Sequence, residues 1–247
     1  MRGYGAIGLA VLVALWAIAA YSGLFNRLLV PTPPSVLMAI LSLLGSGAGW
    51  ADLGFTVYRT IAGFLIAVFV GVPLGLLFGQ YRRLHAASVV TVDFLRSLPV
   101  TALFPVFMLF FGLGDLGKIL ICTFGSSLVI LVNSVYGVQS GKQLRTLLAR
   151  GMGASRGTIF FRVVLPQAMP HIAAGLRTGL SLSLILVVVG EMLIGSHTGL
   201  GHRIMDAHLS LRIPEMYAAI VLTGLLGYGL NSLWIMGERR MLHWSGR

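Results

Sequence analysis

Only seven acidic residues occur in this chain of 247, so the place of each carries information. Glu191 sits late in an apolar run, where an ionised carboxylate near a bilayer centre costs at least about 2.5 kcal/mol. Two readings stay open for it: a gate or helix–helix contact at the outer end of a path, or a structural pair with a nearby arginine or a backbone cap. No series of intramembrane acids accompanies it, as a proton relay requires. His197, His202 and His208 are spaced five and six apart. A metal-binding helical pair needs four, which puts two imidazoles on one face. The single cysteine, Cys122, lies in an apolar run; it excludes an internal disulfide and any cysteine-rich metal site. No Gly-x4-Gly-Lys-Ser/Thr loop occurs, so the chain itself is not expected to bind nucleotide. The reading is a non-catalytic protein with no metal or cofactor of its own.

Other polar residues stand at or inside apolar runs. Arg59, Asp93 and Arg96 lie near the expected ends of spans. Either they snorkel to the headgroups, or Arg96, beside Pro99, helps to line an anion path, since freed N–H groups near a helix start attract anions. Thr101, Ser126, Ser127, Asn133, Ser181, Ser183 and Asn231 are available to such a path; interhelical hydrogen bonds are their alternative use. The candidate path or gate set is Arg96, Pro99, Thr101, Asn133, Ser183 and Glu191.

These residues need spans to hold them. The chain is 57% hydrophobic and 10% charged, against roughly 25% charged in soluble domains. It therefore reads as an all-α polytopic membrane protein, a single membrane domain over residues 1–247. The net charge of +11 is read as topology rather than nucleic-acid binding, because basic residues collect in cytoplasmic loops. Six spans are expected, at about 4–24, 57–78, 87–111, 116–138, 172–194 and 216–236. The first is longer than the usual signal-peptide core of about 7–15 residues. The proline cluster Pro31-Thr32-Pro33-Pro34 breaks the chain, and a short interfacial helix follows over about 36–44. Gly71, Gly75 and Gly79 recur every four residues and make a smooth strip for close helix packing. Pro99 and Pro105 interrupt the third span, and Gly224, Gly227 and Gly229 thin the sixth.

Six spans place both ends on one side. That side receives Arg2, Arg82, Arg83, Lys142, Arg145, Arg150, Arg156, Arg162, Arg239, Arg240 and Arg247. The other receives Arg27, Lys118, Arg203 and Arg212. The basic excess puts the first side, with both termini, in the cytoplasm. The turn at Gly199-Leu200-Gly201, with Arg203, Asp206 and Arg212, is then an outer re-entrant or interfacial segment.

The longest basic interruption is 147–170, LLARGMGASRGTIFFRVVLPQAMP. Ile159, Phe160, Val163 and Val164 share one helical face, with Arg150, Arg156 and Arg162 off it. Pro166 and Pro170 restart the chain, as proline fits a first helical turn. The expectation is a short amphipathic helix, a proline-marked bend and the next span. Ala149, Gly153, Ala154 and Ser155 would let it sit deep in a partner's groove. Its apolar face would fill that groove, and its arginines would meet acids on the rim. An interfacial helix with arginines on lipid phosphates is the plainer alternative.

This stretch resembles the cytoplasmic EAA loop of ABC-importer permeases: E-A-A, three residues, Gly, nine residues, Ile-x-Leu-Pro. Leu147, Leu148 and Ala149 fill the first three places, Gly153 the glycine, and Val163, Leu165 and Pro166 the close. Leu147 stands where the motif has glutamate. Gly153 to Arg156, Pro170, Gly175-Leu176-Arg177, Glu191-Met192-Leu193 and Gly199-Leu200-Gly201 resemble the subgroup importing sulfonates, taurine, nitrate and bicarbonate. Residues 59–79 and 98–114 resemble the same subgroup. The resemblance implies a type I importer permease in a bacterial inner membrane, working as a homodimer. It implies two cytoplasmic ATPase subunits that bind ATP and Mg, and an external substrate-binding protein. Ala149, Gly153, Ala154, Ser155, Arg156, Phe160, Val163, Leu165 and Pro166 would couple to the ATPase. A small anion is the expected cargo; similar permeases also take neutral or heteroaromatic nutrients. A secondary transporter would show inverted repeats and midplane ion ligands, and an intramembrane enzyme a buried acid–base constellation. Neither is evident.

Overall fold

The computed structural model describes residues 2–26, 29–141 and 143–241, and every regular element among them is helical. Arg27, Lys142 and Arg247 of the charge count lie outside the described residues. In chain order the helices are α1 (Arg2–Tyr21), α2 (Pro33–Leu44), α3 (Gly47–Gln80), α4 (Arg82–Ser97), α5 (Phe104–Phe111), α6 (Asp115–Gln139), α7 (Gln143–Gly151), α8 (Arg156–Ile159), α9 (Leu165–Leu193), α10 (Leu200–Leu209) and α11 (Ile213–Met241). Four helical stretches are long and apolar enough to cross a membrane: Gly47–Gln80, Asp115–Gln139, Arg156–Leu193 and Ile213–Glu238. The α4–α5 pair passes the same test jointly, bent by 83°. α1, of 20 residues or about 30 Å at 1.5 Å each, and α2 are further apolar helices.

The packed centre is α3, α6 and α9. Phe64 and Ala67 of α3 meet Ile130 of α6 and Leu180 of α9. The glycine strip of α3 explains how closely α6 approaches. A Cβ on Gly71 would stand 2.8 Å from the Ser127 carbonyl oxygen, one on Gly75 2.4 Å from the Ser134 Cβ, and one on Gly79 2.7 Å from the Val138 Cβ. The glycines of the last span do less: only Gly227 approaches another helix, at Leu184. Around this centre α1, α4, α5 and α11 expose large apolar side chains, Leu109 and Phe110 among them. Such a surface suits lipid, with every backbone polar group bonded inside its own helix.

Three expectations change. The second span begins ten residues early, because Ser46 caps it by accepting from the Gly49 N–H, and the Gly-rich 47–54 run is helical. Pro105 does not interrupt: it lies in the first turn of α5, where no N–H is needed; the break is at Leu98–Pro99 and a 3-10 turn over Val100–Leu103. The fifth span is not separated from the amphipathic helix by a bend. A π turn over Phe160–Val164 joins α8 to α9, and the helix runs through from Arg156 to Leu193. The wider turn takes up one extra residue, Pro166 falls in the first turn of α9, and Pro170 is carried inside it.

Candidate functional site

Two polar regions stand out, at opposite ends of the central helices. At one end, Asp52, Thr56 and Arg59 follow each other at four and three residues on α3, hence on one face. All three are buried, Arg59 being 2% exposed. Glu191, 1% exposed, ends α9 opposite them. The Arg59 guanidinium donates through NH1 to Glu191 Oε1 at 2.7 Å and to the Thr198 carbonyl at 2.8 Å. Through NH2 it reaches Thr198 Oγ1 at 3.0 Å, and through Nε Asp115 Oδ1 at 2.9 Å. NH2 also lies 2.8 Å from Asp115. All five N–H groups of the fork are thereby used.

The same acids hold the start of α10. The Gly199 N–H donates to Asp52 Oδ1 (2.8 Å), the Leu200 N–H to Thr56 Oγ1 (2.9 Å) and the Gly201 N–H to Glu191 Oε2 (2.9 Å). Thr56 passes its own proton to Glu191 at 2.9 Å, and Arg203 of α10 pairs with Asp52 Oδ2 at 2.6 Å. Carboxylates at a helix N-terminus meet its unsatisfied N–H groups and its positive dipole end. The glycines are demanded by contact. Gly199 has φ +119°, and a Cβ there would stand 2.3 Å from the Glu191 carboxyl carbon; on Gly201 it would stand 2.2 Å from the Val188 carbonyl oxygen. Nearby, buried Lys118 donates to the carbonyls of Leu113 (2.8 Å) and Gly114 (3.3 Å). Three bases, Arg59, Lys118 and Arg203, thus face three acids, Asp52, Asp115 and Glu191.

Of the two readings of Glu191, the geometry is that of the structural pair and helix cap. Arg59 does not snorkel to a headgroup; it is buried and doubly paired, and its charge is not free for a passing anion. The sequence reading missed Asp52 and Thr56 because the expected span began at 57. The spacing 52, 56, 59 was the signal available.

The candidate path residues do not form one group. Arg96, Pro99 and Thr101 are exposed around the α4–α5 bend. Asn133 donates to the Val129 carbonyl of its own helix at 2.8 Å and packs against Gly175. Ser183 is buried against Ser126, with the two hydroxyl oxygens 2.8 Å apart. Glu191 belongs to the network above.

At the other end lies the turn between α7 and α8. The Ala154 N–H returns to the Ala149 carbonyl (3.1 Å) and the Gly153 N–H to Arg150 (3.0 Å). With Gly153 at φ +77°, this is the paired closure that ends a helix on a left-handed residue. Ser155 then caps α8 by accepting from the Thr158 N–H at 3.2 Å. The motif glycine is therefore required by the backbone, while a Cβ on it would meet nothing within this chain. Arg156 is exposed; Phe160, Val163, Leu165 and Pro166 are half-buried along the π turn and the start of α9.

Of the expected apolar face, Ile159 is buried and Phe160, Val163 and Val164 are half-buried. Ile159 and Phe160 line a groove of about 920 Å³ against Pro73, Leu76 and Leu77 of α3. What the segment offers outward is different: Leu144, Leu147, Leu148 and Met152 of α7 and its turn, with Phe161. Met152 is 85% exposed. Arg145, Arg150, Arg156 and Arg162 are exposed beside them. No ion pair among the described residues reaches any of the four.

Comparison with known proteins bears on both regions. The family described as binding-protein-dependent transport system inner membrane component matches residues 71–236. The putative aliphatic sulfonates transport permease protein SsuC of Bacillus subtilis is 29% identical over 235 residues, covering 95% of this chain and 85% of that protein. The nitrate import permease protein NrtB of Synechocystis is 30% identical over 235 residues, covering 92% and 84%. An inward-facing structure of the MetNI methionine ABC transporter has the same fold at TM-score 0.67 and 20% identity, covering 84% of this chain and 98% of that one.

Proposed function

Since the chain belongs to the family of inner membrane components of binding-protein-dependent transport systems, we propose that it forms the path of an ATP-driven importer for a small anion of the sulfonate or nitrate type. A permease of this family works with an ATPase on a separate chain and with a binding protein. In the reading proposed, two ATPase subunits bind ATP and Mg, two copies of this chain enclose the path, and an external binding protein delivers the cargo. Both termini and the α7–α8 turn face the cytoplasm of a bacterial cell. Residues 1–247 act as one membrane domain. The observation that carries the substrate class is the near full-length likeness to permeases named for aliphatic sulfonates and for nitrate.

Coupling enters at the α7–α8 turn. Ala149, Gly153, Ala154, Ser155 and Arg156 shape the contact, with Leu147, Leu148 and Met152 as its apolar part. Phe160, Val163, Leu165 and Pro166 join it to the spans. The helix from Arg156 to Leu193 has 38 residues, about 57 Å at 1.5 Å each, and carries Glu191 of the outer network in its last turn. A displacement at one end of such a rod is felt at the other. ATP binding then biases a two-state membrane domain outward and hydrolysis returns it inward.

The test is a thermal-shift screen of the binding protein encoded beside this chain, with methanesulfonate, taurine, nitrate, bicarbonate and a thiamine-precursor pyrimidine. Stabilisation by one of the anions is expected. Tight binding of the neutral ring with no response to any anion ends the anion reading and leaves the permease assignment intact.

A further inference from the structure

Helix α4, 16 residues long, buries no side chain, and it carries Asp93 and Arg96 within its length. His85, Ser88, Val92 and Arg96 recur at three, four and four residues and so share one face. That face turns toward α6, where Val132, Val135, Tyr136 and Gln139 oppose it across a cavity of about 180 Å³. Charged side chains within membrane segments face a bundle interior or water-filled space; here the space is this cavity. Its polar lining consists of one guanidinium, one imidazole, two hydroxyls, one amide and one carboxylate. Asp93 touches Arg96 only at 3.5 Å, with both side chains about half exposed or more. A pair so long and so wet holds its arginine weakly, which leaves the guanidinium fork free for a bidentate oxyanion. Arg59, by contrast, has every N–H committed.

We propose that His85, Ser88, Arg96, Tyr136 and Gln139 form a subsite for a small oxyanion within the permease, between α4 and α6. Arg96 supplies the charge, and the Tyr136 hydroxyl and Gln139 amide supply further donors; the Ser88 hydroxyl already donates to the His85 carbonyl at 3.2 Å. Asp93, beside Arg96, favours an anion that also carries an amine, such as an aminosulfonate. The subsite rests on the anion reading above and deepens it, placing part of the selection in this chain and not only in the binding protein.

The test uses the whole permease–ATPase complex in nanodiscs, without binding protein. Thermal shift with taurine, methanesulfonate and nitrate is read in neutral phosphatidylcholine and again with phosphatidylglycerol added. A saturable shift with a soluble anion is expected in neutral lipid, and Arg96→Gln should abolish it. Arg83→Gln, on the opposite face of α4, should keep it. In proteoliposomes with ATPase and binding protein, Arg96→Gln should raise the KM for uptake about 10- to 100-fold, the usual worth of a charged hydrogen bond. The Arg96→Gln permease should still co-purify with the ATPase, which certifies assembly. Asp93→Asn should weaken taurine relative to methanesulfonate. The subsite is overturned if no soluble anion shifts the complex, if only phosphatidylglycerol does, or if Arg96→Gln leaves uptake unchanged. Should the binding protein respond to an anion while the subsite fails, the proposed function survives; a binding protein specific for a neutral compound fails that function separately.

Discussion

The network at the start of α10 and the α7–α8 turn treat charge in opposite ways. Around α10, three acids and three bases are brought within one protomer, and Arg59 spends all its donors there. Across 139–170 the chain carries five basic residues and no acid. The first region is electrostatically complete. In the second, no ion pair among the described residues meets Arg145, Arg150, Arg156 or Arg162, and the exposed side is apolar and basic at once. A region that satisfies itself fixes structure; one that cannot is built to meet something else. Buried ion pairs need not add net stability, but losing one partner is costly because the other charge stays buried. Exposed arginines on a turn carry no such penalty.

The comparison would break first on topology, where the effect is all-or-none. Reactive cysteines at positions 156 and 240 should label only from the cytoplasmic side, and one at His208 only from outside. Labelling of position 156 from outside in intact cells would place the two regions wrongly. Next in size is Glu191→Ala, which leaves Arg59 buried with half of its countercharge. A loss of about 3–5 kcal/mol is expected, read as a lowered unfolding temperature of the purified complex; an unchanged temperature would deny the network its structural role.

The two left-handed glycines sharpen the contrast further. Gly199→Ala meets both an unfavourable φ and the Glu191 carboxylate, so a destabilisation of at least about 1–3 kcal/mol is expected. Gly153→Ala meets open space and should cost only the left-handed penalty of about 1–2 kcal/mol. Gly153→Asn, which tolerates that conformation, should keep the fold. If it also keeps ATPase co-purification and transport, the small-residue contact assigned to the turn is not needed. The smallest effect on folding belongs to Arg150→Glu combined with Arg156→Glu, within about 0.5 kcal/mol as for exposed sites generally. Its effect on ATPase co-purification should be large, and normal co-purification would point the arginines to lipid.

Much of the architecture could be read from the chain. Apolar runs of span length locate the helices, because a segment in lipid must satisfy its backbone internally. The four-residue glycine recurrence in 71–79 marked the α3–α6 contact for the same local reason. The helix boundaries were less legible. The expected span stopped short of 47–56, which holds Asp52, since nothing local shows that its carboxylate is met by Gly199 and Arg203. The prolines at 166 and 170 looked like a bend because the π turn that joins α8 to α9 leaves no compositional trace.

What the sequence determined by itself is therefore what depends on neighbours along the chain: the all-helical membrane class and the basic asymmetry. What only the tertiary structure decided is partner choice. Arg59 lies 132 residues from Glu191 and 139 from Thr198, and no spacing rule reaches so far. Whether a charge near a span ends in lipid headgroups, in a cavity or in a buried pair depends on which helix packs against it. Arg59 and Arg96 looked alike in sequence; α9 and α10 close over the first, and the second stays exposed on α4.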